Sequence, residues 1–203
     1  MSIERPWIML VAGGTASGKS SIVARFVERT GAAYIGHDRY YLDVPEPRGH
    51  DFDHPDALET TLLVSHVAQL LSGNSAMLPV YDFSRHARTA QVEEMAPAPL
   101  VVVEGILVMS EPSLVSQADL CVFVEAAEPL RLSRRIERDV RERGRTEESV
   151  RTQYAETVQP NHDRFVQPSK RHAGLILDGS EPIDRSVERL MEAIPPSVLV
   201  RLR

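Results

Sequence analysis

Eight consecutive residues, Gly13, Gly14, Thr15, Ala16, Ser17, Gly18, Lys19 and Ser20, satisfy every fixed position of the phosphate-loop pattern G-x-x-x-x-G-K-[ST]. Glycines let such a loop curl until successive backbone N–H groups converge on phosphate oxygens, and the positive end of the following helix adds to the attraction. Lys19 has the charge and reach for the β and γ phosphates, and Ser20 offers the kind of oxygen ligand that Mg²⁺ prefers. Ser21 stands beside it in the first helical turn and is counted with the loop. The pattern is short, so its surroundings decide its weight. An apolar run at 7–12 precedes it, and Ile22, Val23, Phe26 and Val27 follow at helical spacing before Gly31. Strand, loop and helix come in the order that nucleoside triphosphate binding requires.

Two carboxylates fall where chemistry is expected, just after further apolar runs. Asp38 follows the run 32–36 and has two readings: a helix cap, or a general base that takes the proton of an attacking hydroxyl beside the γ-phosphate. Glu104 ends the run 100–103, where a buried carboxylate is costly unless it meets a cation, and magnesium is the natural one. From 131 to 141, Arg131, Arg134, Arg135, Arg138 and Arg141 fall on one arc of a helix, with Leu132, Ile136 and Val140 on another. Such a face is either solvated or, beside a phosphate loop, a set of guanidinium donors for a transferring phosphoryl group. Gly144 and Arg145 supply a hinge from which that helix could close as a lid. His50 and His54 flank Asp51 and Asp53, but Pro55 follows directly and no third ligand group stands near in sequence, which disfavours a metal site.

The elements that must position these residues are legible as buried apolar runs at 7–12, 32–36, 100–103, 120–124 and 174–177, mostly separated by helical periodicity. That alternation predicts an α/β fold with a central parallel sheet, whose ligands gather at the carboxyl ends of the strands. A helix is expected over 55–71, and an excursion of extended structure outside the main sheet over 76–99. The last eight residues alternate apolar and basic types with no partner in view. A length of 203 residues suits a single domain over 1–203. The net charge of −6 argues against a general nucleic-acid or membrane-surface binder, which needs a basic face. Residues 1–6 carry no basic leader, and the apolar run after them is too short for a signal or a membrane span, so a cytoplasmic protein is expected. Cys121 lies inside an apolar run and reads as a buried thiol without chemistry.

Taken together, several motifs resemble the uridine kinase (uridine–cytidine kinase) family of phosphate-loop kinases. The resemblance runs from the loop AGGTASGKS through HDRYY at 37–41, FDHPDA at 52–57, and PVYDF at 79–83 with His86 and Arg88. It continues with EGIL at 104–107, Arg134-Arg135, Arg138-Asp139, ERGR at 142–145, Gln153-Tyr154 and PSK at 168–170. It implies the three-layer phosphate-loop NTPase/kinase fold with a helical lid over about 130–160. The implied reaction is transfer of the γ-phosphoryl group of ATP (or GTP) to the 5′-hydroxyl of uridine or cytidine. In that frame Asp38 is the base, with Lys19, Arg135 and Arg138 acting on the transferring group, and Ser20 and Glu104 hold Mg²⁺. Asp53 accepts from the ribose hydroxyls, Tyr81 and His86 meet the pyrimidine edge, and Phe52 and Phe83 flank the base. Arg135, Arg145 and Gln153 complete the nucleoside pocket, and a homo-oligomer is plausible. Arg39 stands where the family has a small residue, and the stretch from Asp38 to Asp53 is shorter than its pattern. Residues 177–182 depart from the family's donor-base pattern and leave ATP against GTP open. The rivals are another small-molecule kinase, acting on nicotinamide riboside or a ribulose phosphate, and a regulatory phosphate-loop NTPase.

Overall fold

The computed structural model describes residues 5–45 and 50–202. In chain order the elements are β1 (Trp7–Gly13), α1 (Lys19–Thr30), β2 (Ala33–Gly36), α2 (Thr60–Leu71), β3 (Ala76–Asp82), β4 (Ala87–Met95) and β5 (Leu100–Glu104). Then come α3 (Pro112–Val115), β6 (Leu120–Glu125), α4 (Glu128–Arg143), α5 (Glu147–Gln153), α6 (Gln159–Asn161), β7 (Leu175–Asp178), α7 (Ile183–Ala193) and α8 (Pro196–Val200). All five apolar runs are strands of one parallel sheet in the order β2-β5-β1-β6-β7.

Both faces of the central strands β1, β5 and β6 are buried, which is why they read as continuous apolar runs, while the edge strands β2 and β7 are partly exposed. Ile8, Leu10, Val101, Val103 and Phe123 pack on one side with α2 and the segment Leu107 to Met109. Met9, Val11, Val102, Val122 and Val124 pack on the other with Ile22, Phe26, Val187 and Leu190. The result is the three-layer α/β phosphate-loop arrangement. Cys121 is buried within it as a small apolar side chain. Strands β3 and β4 pair antiparallel as a separate two-stranded sheet.

The helix expected over 55–71 is shorter than its periodicity implied. Pro55–Ala57 forms a separate 3₁₀ turn, and α2 begins only at Thr60. The intervening residues are drawn into extended pairing: Leu58 bridges Tyr41, Leu42 N–H donates to Ala57 O at 2.9 Å, and Glu59 N–H donates to Tyr40 O at 2.8 Å. Those bonds anchor the chain after β2 and outweigh continuation of the helix. At the far end the tail folds as α8, with Val198 in the core and Arg201 donating to Pro99 O at 3.0 Å.

Candidate active site

The parallel register sets the carboxyl ends of four strands side by side. Gly36 pairs with Glu104, Glu104 with Val11, and Gly13 with Val124. At Gly13 the backbone has φ +148°, and an added Cβ would lie 2.4 Å from Val124 O, so only glycine lets the loop leave the sheet there. Ala16 also has positive φ, at 56°. The loop then turns into α1, whose first residue, Lys19, is buried.

Glu104 is the anchor of the loop's polar side. Its Oε1 lies 3.6 Å from Lys19 Nζ and accepts from Ser20 Oγ at 3.2 Å, while Oε2 accepts from the Tyr34 hydroxyl at 3.0 Å. Burial and the Glu104 charge push the Tyr34 pKa well up, which keeps that hydroxyl a donor. The sequence reading missed Tyr34, since a tyrosine on an edge strand carries no signal of its own. Oxygen donors from Ser20 and Glu104 beside a cationic loop suit Mg²⁺, which takes one or two protein oxygens and completes its shell with water and phosphate. Among the described residues no group of three or more His, Cys, Asp or Glu side chains is placed to hold a metal ion.

Asp38 lies in the first turn of the 3₁₀ segment His37–Tyr40 after β2, where Gly36 and not Asp38 holds the N-cap position. Asp38 is exposed to solvent as a residue, yet the protein around it desolvates its carboxyl group. Desolvation by the surrounding protein pushes its pKa up to about 6; the Glu104 charge acts in the same direction and Lys19 opposes it. His37 beside it is buried with Nε2 3.1 Å from Thr60 Oγ1, and burial lowers its pKa to about 4, so it is neutral at pH 7.

Opposite the loop, aromatic rings gather from three segments. Phe52 lies 5.2 Å from His86, 5.6 Å from Tyr41 and 4.6 Å from His50, and Tyr81 lies 5.6 Å from Tyr41 and 5.2 Å from Phe83. The Tyr81 hydroxyl and His50 Nε2 are buried without a hydrogen-bond partner, the state expected of groups that face a ligand. Phe83 is exposed at the rim. His86 is held at φ +50°, and its carbonyl accepts from Val44 N–H at 2.9 Å. Asp53 is buried nearby, with its pKa raised first by burial and opposed by Arg135. The sequence offered His50 only as a metal ligand, which its surroundings disfavoured, and Tyr41 only as part of the HDRYY motif; neither was given a place in an aromatic pocket. Arg39 pairs with Glu93 of β4 at 2.6 Å, and Arg88 donates to Tyr41 O at 3.1 Å and Tyr40 O at 2.8 Å. The β3–β4 hairpin is thereby fastened to the turn that carries Asp38. His54 caps its own turn, accepting from Asp56 N–H at 3.2 Å.

The arginine helix α4 bridges the two sides. Arg135 is buried, donates to Thr15 Oγ1 of the loop at 3.1 Å and to Gln153 Oε1 at 3.2 Å, and lies 3.9 Å from Asp53. Arg145 also donates to Gln153 Oε1. Arg131 is buried against Gly14, and Arg134 donates to Gly179 O at 2.9 Å. Arg141, by contrast, is solvated and paired with Glu137 and Glu142. The expected single basic face is therefore split: its N-terminal part turns inward and Arg141 belongs to the surface. Beyond α5 the chain passes through two π-helical turns, Tyr154–Val158 and His162–Val166, and Asn161 between them donates to Asp51 Oδ2 at 2.6 Å. A cleft of about 630 Å³ opens beside Gly14 and Arg131, bounded by Ala126, His162, Asp178 and Ser180.

Comparison with known proteins identifies the family. The profile of the Phosphoribulokinase / Uridine kinase family matches residues 45–183. A uridine kinase of Chloroflexus aurantiacus is 44% identical over 201 residues, covering 93% of this chain and 96% of that protein. A uridine kinase of Halobacterium salinarum is 42% identical over 174 residues, covering 82% and 77% respectively. Among solved structures, the phosphoribulokinase of Rhodobacter spheroides superposes with a TM-score of 0.65 at 17% identity, over 89% of this chain and 75% of that one, a likeness of fold.

Proposed function

The chain belongs to the Phosphoribulokinase / Uridine kinase family, and from that premise we propose that it is a nucleoside kinase transferring the γ-phosphoryl group of ATP or GTP to the 5′-hydroxyl of uridine or cytidine. One observation carries the reading: a single side chain, Arg135, touches both Thr15 of the phosphate loop and Asp53 beside the aromatic pocket. Donor phosphates and an acceptor diol would therefore lie within one guanidinium's span, the juxtaposition that in-line transfer needs. No helix among the described residues is long and apolar enough to cross a membrane, in keeping with the cytoplasmic location we propose.

In this mechanism residues 13–21 wrap the triphosphate with backbone N–H groups, and Lys19 follows the γ-phosphate as it migrates. Ser20 and Glu104 would hold Mg²⁺, which when bound offsets phosphate charge. Asp38 takes the proton of the 5′-hydroxyl as that oxygen attacks. Asp53 accepts hydrogen bonds from the ribose diol, and Phe52, Tyr81, Phe83 and His86 hold the pyrimidine. The segment 130–160 acts as a lid that brings Arg135, Arg138, Arg145 and Gln153 onto the reacting groups and excludes water. The cleft beside Gly14 has room for a nucleotide base and is where we place that of the donor.

The direct test is incubation with Mg²⁺, ATP or GTP, and a panel of uridine, cytidine, purine nucleosides, nicotinamide riboside and ribulose phosphate, with products identified by mass. Uridine and cytidine 5′-monophosphates are expected. Hydrolysis with no phosphorylated acceptor would point to a regulatory NTPase instead.

Within the lid, Arg138→Ala should depress kcat far more than it raises the KM for triphosphate, because its bonds strengthen as charge develops on the transferring group. Arg141→Ala, on the solvated face, should leave both near wild type. Equal and small effects at the two positions would remove Arg138 from the reaction.

His86 should read the base. Uracil presents N3–H and a carbonyl at the edge where cytosine presents a bare N3 and an amine, and a neutral imidazole serves either by choice of tautomer. His86→Asn can flip its amide and tolerates the positive φ, so it should retain both activities in part. His86→Leu should lose about tenfold or more in kcat/KM for both nucleosides through unpaired base groups. Unchanged efficiency in a folded leucine variant would return His86 to a packing role.

A further inference from the structure

Asp139 has no exposed surface, yet it lies on a helix whose other buried groups, Arg131 and Arg135, are cations. A buried carboxylate is costly unless charges and hydrogen bonds surround it. Here Arg138 Nε donates to its Oδ1 at 2.9 Å, and Arg143 Nη1 lies 3.5 Å from the same oxygen. On the other oxygen, Arg135 Nε stands at 3.6 Å and Arg145 Nη1 at 3.7 Å. Its backbone carbonyl also accepts from Arg145 N–H at 3.2 Å, across the left-handed turn at Gly144 (φ +62°) that folds the chain back. One residue thus gathers two arginines from the last turns of α4, one from its end and one from beyond it.

We propose that Asp139 is a positioning residue for phosphoryl transfer, a single buried carboxylate that aligns Arg135, Arg138, Arg143 and Arg145 as one cationic unit facing the phosphate loop. The inference rests on the kinase reading above. Four guanidiniums so close repel one another, and without a negative centre they would splay into solvent. One carboxylate offsets part of that repulsion and leaves the cluster cationic, the state in which it attracts a polyphosphate. The two oxygens act differently. Oδ1 fixes Arg138 by a charge-assisted hydrogen bond, whereas Oδ2 and Arg135 Nε are both buried without a hydrogen bond and face each other just beyond bonding length. Arg135 is therefore steered by charge while its terminal nitrogens remain committed to Thr15 and Gln153.

Asp139→Asn keeps the shape and one acceptor oxygen but removes the charge. In protein that circular dichroism shows to be folded, kcat should fall by about 10–10²-fold, as expected of a small misplacement outside the reacting atoms, with both KM values within about threefold of wild type. Arg138→Ala added to Asp139→Asn should cost less than the product of the single losses, because one acts through the other. A fall in melting temperature with kcat per folded molecule unchanged would overturn the proposal and leave Asp139 a structural residue. Should the asparagine variant not fold, wild-type protein labelled with ¹⁵N-arginine answers the question without turnover. Arg138 is expected to show a shifted, slowly exchanging Nε–H signal, and averaged, fast-exchanging signals throughout would exclude a positioned cluster. A wild type that phosphorylates no nucleoside would fail the kinase reading instead, an outcome distinct from either of these.

Discussion

Asp38→Asn should lower kcat by about 10²–10⁴-fold, the usual contribution of a positioned general base, with little change in nucleoside affinity. The carboxylate sits between Glu104, which disfavours its charge, and Lys19, which favours it, and desolvation tips the balance to a pKa of about 6. A base of that strength accepts a proton more readily than an ordinary aspartate and is still ionised at neutral pH. In wild type, kcat/KM should therefore rise with pH up to about 6 and level off above it, and the asparagine variant should lose that limb. The stability effect runs in the opposite direction. Because the folded-state pKa lies above the unfolded value near 3.8, the native protein binds more protons between about pH 4 and 6, and Asp38 becomes less favourable to folding as pH rises through that window. Above pH 6 the asparagine variant should melt at or above the wild-type temperature. A helix cap would behave the other way, losing stability on substitution while turnover per folded molecule stayed normal. Measuring both quantities on the same variant separates the two roles.

The sheet was legible because its central strands β1, β5 and β6, covered on both faces, must be apolar nearly throughout, and the edge strands β2 and β7 keep enough apolar residues to read as runs although Tyr34 and Ile176 reach solvent. The phosphate loop was legible because its glycines answer to local backbone geometry. What the sequence obscured were the places where a long-range bond overrides a local pattern. Leu58 and Glu59 continue an apolar helical repeat, yet they leave the helix to pair with Tyr40 to Leu42. Helix α4 is the clearest case. Amphipathic reasoning sends Leu132, Ile136 and Val140 inward, but Arg131, Arg135 and Asp139 are the buried stripe and Val140 is 43% exposed. A helix that buries its charged side sacrifices stability that a conventional face would have provided. Such a local conflict is the kind of place where functional groups and the residues that position them are to be sought. Asp139 went unread for the same reason, since a lone Asp among arginines looks like a surface ion pair until its burial is known. Arg39, by contrast, departs from the family's small residue and finds its explanation in Glu93 across the hairpin.

Lys19→Ala should reduce kcat by about 10²–10³-fold, comparable with deleting one preorganised electrostatic donor, while the KM for triphosphate rises far less. The asymmetry arises because backbone N–H groups of the loop hold the ground-state phosphates, whereas the flexible ammonium alone can follow the γ-phosphoryl group toward the acceptor. Lys19 is buried and sits 3.6 Å from Glu104, so its removal also leaves that carboxylate with Ser20 and Tyr34 as its remaining partners. Some thermal stability should be lost, but the fold should survive, since its core lies in the sheet faces. Lys19→Arg refines the test. If a positive charge alone sufficed, arginine would restore most of the rate; the bulkier, planar guanidinium cannot occupy the same slot beside Glu104 or travel with the phosphate, so rescue should be poor. A folded alanine variant turning over within threefold of wild type would remove residues 13–20 from triphosphate chemistry altogether. With that assignment would go the reason for Glu104, Ser20 and the inward arginines to converge where they do.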